Sequence, residues 1–346
     1  MSPRPSRSEV TMSGDALRLA WSGIPPDRLA RMVSGGGGAE AVVAQLRAGD
    51  PDEELRTVLD GPESELHRRL ERLGVGFVTR DGFPRALVEV EEPPAHLFTK
   101  GGGFRDMAAV AVVGSRAATA YGLRVARRLG SVLAGAGIAV VSGLARGIDG
   151  AAHAGALDAG GVTWAVLGCG IDRWYPKAHA DLGRRIATES GCILSEFPPG
   201  VRPAPWRFPM RNRVIAGLST AVVVVEAAAT GGALITARLA LEQGRTVFAV
   251  PGDIDRPTSE GCNRLIADGA VPLTSEADLL EGIGFLRATE PAPAPVAGIG
   301  AVSPLGSTPE AVGAALGLAG DELRAQLARW EVAGIIARKG GLVVRL

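Results

Sequence analysis

The chain has 346 residues, 37 basic and 37 acidic, with 46% hydrophobic and 21% charged content. That length allows two or three domains with sizeable cores, and the composition is that of an ordinary globular protein. Zero net charge excludes a protein that coats nucleic acid through bulk electrostatics, so any such binding must be focused in one groove.

The first ten residues, MSPRPSRSEV, carry no apolar signal core, and no apolar run in the chain approaches membrane-spanning length. The cytoplasm is therefore the expected compartment, with no membrane contact. Residues 1–75 are expected to form a small helical module. Leu17, Leu19, Leu29, Val33, Val42, Val43 and Leu46 recur at helical spacing, and Gly35 to Gly38 is expected as a loop.

Over residues 76–290 the pattern changes. Continuous apolar runs at Ala109–Val113, Ile138–Ser142, Thr163–Leu167, Cys192–Leu194, Ala221–Val225 and Thr246–Val250 suit strands buried on both faces. Helical stretches alternate with them at Tyr121–Ala134, Ile148–Ala159, Ala180–Glu189 and Ala233–Gln243. The alternation predicts an α/β fold: a Rossmann-like, doubly wound and mostly parallel sheet. Residues 291–305, rich in proline, alanine and glycine, read as a semi-rigid linker. The order helix, turn, helix and hairpin over 306–346 outlines a winged helix.

In a parallel sheet the ligand loops follow the carboxyl ends of the strands. Here they contain Gly114-Ser115-Arg116, Ser142-Gly143 through Arg146 to Asp149, Gly168 to Asp172, Ser195 to Gly200, Glu226 to Gly231-Gly232, and Pro251-Gly252-Asp253. Glycines there let backbone N–H groups approach a ligand, and helix N-termini behind them favour anions. From Ala109 to Ile148 there are five arginines and no acid, with Arg116 and Arg146 in loops. Each is expected to meet an anion in preference to a structural pair with Asp149 or Glu226. The stretch FPMRNRVIAGLS concentrates this character: Phe208, Arg211, Asn212 and Arg213 follow Arg202 and Arg207, with no acid between Gly200 and Gly217. Guanidinium forks match phosphate geometry. No local acid is expected to compete for Arg211 and Arg213, although two residues two apart on a helix cannot face the same way.

Neither GxGxxG after the first strand nor a Walker A loop is present, so no nucleotide cofactor is expected. Trp174, Tyr175, Phe197, Trp206 and Phe208 all fall in loops on the proposed edge. They either stack the bases of a single strand or plug the loops onto the core. Three widely spaced cysteines and four scattered histidines give no zinc or disulfide pattern. Asp149 and His153 could share a helix face as acid and base or as metal ligands. The plainer reading is that Asp149 caps the helix and His153 packs on a neighbouring loop. Ser115 and Ser142 have no histidine at motif spacing, so no nucleophile–base set assembles and no enzyme activity is expected.

GSR (114–116), SGLARGIDGAAH (142–153), GCGIDRWYP (168–176), SEFPPG (195–200), FPMRNRVIAGLS (208–219), VVVEAAATGGALITA (223–237) and AVPGDI (249–254) together resemble the DprA/Smf family of DNA-processing proteins of natural transformation. The resemblance implies a sequence-independent site for single-stranded DNA, with contacts from Gly114, Ser115, Arg116, Ser142, Gly143, Arg146, Phe208, Arg211, Asn212, Arg213, Gly231 and Gly232. It also implies a homodimer, RecA loading and a link to single-strand-binding protein, an N-terminal SAM-like module and a C-terminal winged helix. Ala233 stands where the family often has a serine, which removes a hydroxyl from that loop. The competing reading is a nucleotide phosphoribohydrolase on the same sheet. That class resembles itself through PGGxGTxxE, and the corresponding EAAATGGALITARLALE lacks its proline, its Gly-Thr and its glutamate.

Overall fold

The computed structural model describes residues 14–284, 302, 306–332, 336–339 and 341–345. The chain divides into two compact units that part between Ile283 and Gly284.

In the first unit, helices α1 (Gly14–Ala20), α2 (Pro26–Gly35), α3 (Ala39–Ala48), α4 (Glu53–Asp60) and α5 (Glu63–Leu73) come before the sheet. The expected glycine loop starts one residue later than read, because Gly35 closes α2. Leu19, Leu29, Val42, Val43 and Leu59 form a small core among these helices. Leu17, Ala20 and Leu70 leave that core and pack instead with Leu167, Ile186 and Ile193, so the helical layer is anchored to the sheet.

The sheet has nine strands: β1 (Gly76–Val78), β2 (Leu97–Gly101), β3 (Ala109–Val113), β4 (Ala139–Ser142), β5 (Thr163–Leu167), β6 (Cys192–Ser195), β7 (Ala221–Val224), β8 (Thr246–Ala249) and β9 (Val271–Pro272). Their order is β1-β2-β6-β5-β4-β3-β7-β8-β9. All neighbours from β6 to β9 pair in parallel, while β1 and β2 add antiparallel strands at one edge. The six apolar runs read from the sequence are β3 to β8. Their continuous character has a direct cause: on β5, Trp164 and Val166 enter one core, and Ala165 and Leu167 enter the other.

A four-residue helix α6 (Arg85–Val88) precedes β2. The crossovers carry α7 (Ala120–Gly135), α8 (Ile148–Asp158), α9 (Ala180–Thr188), α10 (Arg207–Gly217), α11 (Gly232–Glu242) and α12 (Pro257–Ala267), and α13 (Glu276–Gly282) follows β9. Adjacent strands β3 and β7 send their chains to opposite wings, β3 towards β4 and β7 towards β8. A crevice opens at such a reversal, outside the carboxyl ends of the two strands.

In the second unit, α14 (Pro309–Leu316), α15 (Gly320–Val332) and a hairpin of β10 (Ile336–Lys339) with β11 (Leu342–Arg345) follow in the expected order. Val302, Val312, Leu327, Trp330, Ile336 and Val343 form their core. The expected linker, 291–305, lies outside the described residues except for Val302.

Candidate nucleic-acid interface

A cavity of about 650 Å³ occupies the crevice between the β3 and β7 loops. One lip is Gly114, Ser115, Arg116 and Ala117; the other runs from Ala227 to Ala233 and contains Gly231 and Gly232; Phe208, Arg211 and Asn212 of α10 close it from a third side.

Each lip is fixed by backbone contacts. Ser115 N–H donates to the Glu226 carbonyl at 2.7 Å, and the Ser115 carbonyl accepts from Ile148 N–H at 3.2 Å, tying β3 to β7 and to the start of α8. A Cβ on Gly147 would lie 2.2 Å from that same carbonyl, and its φ of +75° is itself the left-handed backbone that glycine tolerates. The Glu226 carboxylate accepts from Thr119 N–H at 2.9 Å and Thr119 O–H at 2.5 Å, holding the start of α7. Asp149 accepts from Gly143 N–H at 2.9 Å and Ala145 N–H at 3.3 Å. It therefore ties down the loop before α8 and does not cap the helix, whose N-cap is Gly147. Both acids that could have neutralised Arg116 or Arg146 are thus occupied elsewhere.

Arg116 and Arg146 are exposed, and neither has an ion-pair partner among the described residues. The Arg116 guanidinium lies 5.3 Å from the Phe208 ring centroid, and Tyr175 stacks on the same ring at 5.5 Å with planes 29° apart. Arg146 follows Ala145 just outside the cavity lining. Behind the lips, α11 has Gly231 as its N-cap and no side-chain cap; the Gly231 N–H donates to the Ala228 carbonyl at 2.9 Å, and the N–H groups of Gly232 and Ala233 are left without an acceptor beside the cleft.

The two arginines of FPMRNR behave differently. Arg211 is 5% exposed. Its Nη1 donates to the Gly143 carbonyl at 3.0 Å and to the Val166 carbonyl, and its Nε donates to Asn212 Oδ1 at 2.9 Å. Burial pulls its pKa down to about 10 while the Asp149 carboxylate opposes the shift, so it stays charged near neutrality. Burial in turn raises Asp149, and Arg211 counters it. Arg213 is locked to the buried Glu196 carboxylate and donates to the Glu92 carbonyl at 3.2 Å. The expectation that no acid competes for this pair is corrected: Asp149 and Glu196 lie outside the acid-free stretch and return through the fold. Arg211 braces the cleft floor, and Arg213 is absent from its lining. Since Asn212 Oδ1 accepts from Arg211, its amide NH2 is the group left free at the cleft.

Ser142 and Gly143 are buried and do not line the cavity; the Ser142 hydroxyl donates to the Val112 carbonyl at 2.7 Å. Of the five loop aromatics, Phe197 is buried and Trp174 packs partly against the core, whereas Tyr175 and Trp206 are 47% and 52% exposed. His153 packs on strand β5 and not on a loop: its Nδ1 is 2.7 Å from Thr163 Oγ1. The Thr163 hydroxyl spends its proton on the Val140 carbonyl, so His153 is the donor and is neutral, with Nε2 buried and unpartnered.

Burial, reinforced by His179 and Arg211, drops the His153 pKa to about 3, and burial drops His96 to about 4. Both folded values lie below the ordinary histidine value, so their stabilising share is present above about pH 6.5 and is lost as pH falls towards 4. Each histidine is expected to remove about 2 kcal/mol between pH 7.5 and 5. Asp149 and Glu196, raised by burial, act in the opposite sense. Urea unfolding of wild type and His153→Gln across that range isolates one share: the substituted protein should lose about 2 kcal/mol less. Parallel profiles would show that His153 titrates normally.

The fold and the cleft define a Rossmann-like protein with a crevice at the switch point of its sheet, bordered by an arginine without an acid partner, stacked rings and an uncapped helix start. Residues 75–284 match the family described as DNA recombination-mediator protein A, and the chain belongs to that family. It is 46% identical over 208 residues to Protein Smf of Escherichia coli (strain K12), covering 59% of this chain and 54% of that one. It is 50% identical over 188 residues to a putative DNA processing protein DprA of Mycobacterium tuberculosis, covering 54% and 48%. The chain thus spans about half the length of these two relatives. It is similar to the X-ray structure of DNA processing protein A (DprA) from Streptococcus pneumoniae at 33% identity and a TM-score of 0.67, covering 78% of this chain and 98% of that one. A Helicobacter pylori DNA processing protein A, whose structure describes a single-stranded DNA binding mode, matches at 27% identity and a TM-score of 0.54, covering 62% and 96%. Among the described residues no helix is long and apolar enough to cross a membrane.

Proposed function

We propose that the cleft binds single-stranded DNA without sequence preference, and that the chain acts as a non-enzymatic recombination mediator. The observation that carries this reading is Arg116: exposed, unneutralised, and seated over Phe208 at the mouth of a cleft that ends on an uncapped helix start. Phosphate would meet Arg116, Arg146, the Asn212 amide and the N–H groups of Gly232 and Ala233, with Gly231 shaping that lip and Gly114 and Ser115 the opposite one. A base would stack on the Phe208–Tyr175 pair. Ser142, Gly143 and Arg211 serve this site from beneath, and Arg213 serves the fold.

The phosphoribohydrolase reading finds less support. Asp149 is the carboxylate in the lining, and it is committed to two backbone N–H groups and faces Arg211. The family and the H. pylori relative support the DNA reading further. Assembly as a homodimer, loading of RecA onto strands covered by single-strand-binding protein, and a winged-helix role for the second unit belong to the same proposal. The cytoplasm is the compartment it requires.

Salt dependence tests it. Four arginine contacts would give a log–log slope of roughly −3, but with Arg211 and Arg213 withdrawn the cleft offers two, hence about −1.4 on a short oligothymidylate. Fluorescence-anisotropy titrations across a salt series read this slope. A slope near zero, or equal affinity for thymidine monophosphate, would sink the reading.

A further inference from the structure

Many exposed arginines on the outer helices pair with acids: Arg127 and Arg185 with Asp158, Arg128 with Glu276, Arg238 with Glu242 and Arg264 with Asp268. Arg28, Arg68, Arg72 and Arg124 stand singly without an ion pair among the described residues. Beside the cleft the unpaired arginines are grouped. Arg173, Arg202 and Arg207 have no ion pair among the described residues, nor does Arg69, which reaches across from α5 to the Pro199 carbonyl at 3.2 Å. The acid next to Arg173, Asp172, accepts from Gly200 N–H at 2.8 Å, while Asp181, Glu189 and Glu196 pair with Arg184, Arg185 and Arg213. Among these loops Trp206 is 52% exposed, whereas Trp164 is fully buried and Trp330 nearly so.

The ring is held firmly. Arg207 lies 4.7 Å from the Trp206 centroid and 5.2 Å from that of Phe197, which is buried in the loop above β6. Its Nη1 donates to the Arg202 carbonyl, closing the loop on itself. Arg173 Nε donates to the Gly200 carbonyl at 3.1 Å, leaving its terminal NH2 groups open. A large exposed aromatic face propped by a stacked guanidinium, on loops that also carry Arg173 and Arg202 without acid partners, matches the chemistry of base stacking with backbone tracking. The patch adjoins the cleft: Pro205 lines the cavity and Trp206 is the next residue.

From this arrangement we infer a second station for the same strand, in which Trp206 stacks a base and Arg173, Arg202 and Arg207 meet the flanking phosphates, carrying DNA from the switch-point cleft over the β5 and β6 loops towards α5. This rests on the cleft being a single-strand site, and the test separates the two. Anisotropy titrations use the full chain with oligothymidylates of about six and about twenty nucleotides. Trp206→Ala should weaken the long oligomer about tenfold, the weight of one stacked base, leave the short one unchanged, and recover most of the loss as Trp206→Phe. The long oligomer should also show a salt slope steeper by about 0.7 for each added arginine contact. Wild-type affinity of Trp206→Ala for both lengths overturns the second station, as does an equal loss on both, which would assign Trp206 to the cleft itself. Arg116→Ala serves as the control: if it binds both lengths normally, it is the cleft reading that fails.

Discussion

Arg116→Ala is expected to weaken binding of oligothymidylate by about ten- to a hundredfold, the weight of one charge-assisted contact. Stability should stay within about 0.5 kcal/mol of wild type, because the side chain is exposed and pairs with no acid. The argument rests on the two neighbouring carboxylates. Glu226 is consumed by Thr119 and Asp149 by Gly143 and Ala145, so the Arg116 charge lies over the Phe208 ring with no acid paired to it among the described residues. Lysine at this position keeps the charge but loses the planar stack and the fork, so Arg116→Lys should recover part of the affinity. Anisotropy titration together with thermal unfolding checks both halves. Intact affinity, or a fall in stability equal to the fall in binding, would show that the residue supports the loop instead of the ligand.

The second large effect is of the opposite kind. Arg211→Ala should lower the unfolding free energy by about 3–5 kcal/mol, as removal of one partner of a buried charge pair does. In a unit of this size that corresponds to a drop of about 10 °C in the unfolding midpoint. The side chain satisfies the Gly143 and Val166 carbonyls and faces the buried Asp149 carboxylate, so truncation leaves two acceptors and one charge stranded. The guanidinium packs directly on the Gly143 backbone, where a Cβ would lie 2.2 Å from Arg211 Nη2, so truncation also leaves a gap there. Arg211→Lys should rescue poorly, because an ammonium cannot span both carbonyls and Asn212 together. If the midpoint stays put while DNA affinity falls, Arg211 is a phosphate contact after all.

These two arginines show where sequence reading works and where it stops. Strands β3 to β8 were legible because both faces are buried, which forces continuous apolar runs. β1, β2 and β9 were not: β1 and β9 are short edge strands, and all three have partly or fully exposed members such as Gly76, Thr99, Lys100 and Val271. The loops were legible as a ligand edge because topology dictates which ends of parallel strands converge. The exposed, unpaired state of Arg116 could be read because it needs no partner from another segment. Arg211 and Arg213 could not, because their partners come from other segments; Glu196 sits just four residues before the acid-free stretch began, and Asp149 arrives from the β4 loop. A window free of acids in sequence is not a pocket free of acids in space. The signal that could have helped was the sheet order itself, which brings the β4, β5 and β6 loops against α10.

The two lips of the cleft stand side by side, yet the Thr119–Glu226 bonds that join them link residues 107 apart in the chain. Everything between, from α7 to α10, must cross over and dock before β7 can slot against β3. Non-local closure of this kind comes late in assembly. A growing chain therefore completes the cleft only when the seventh strand docks, by which point the greater part of the sheet is already built.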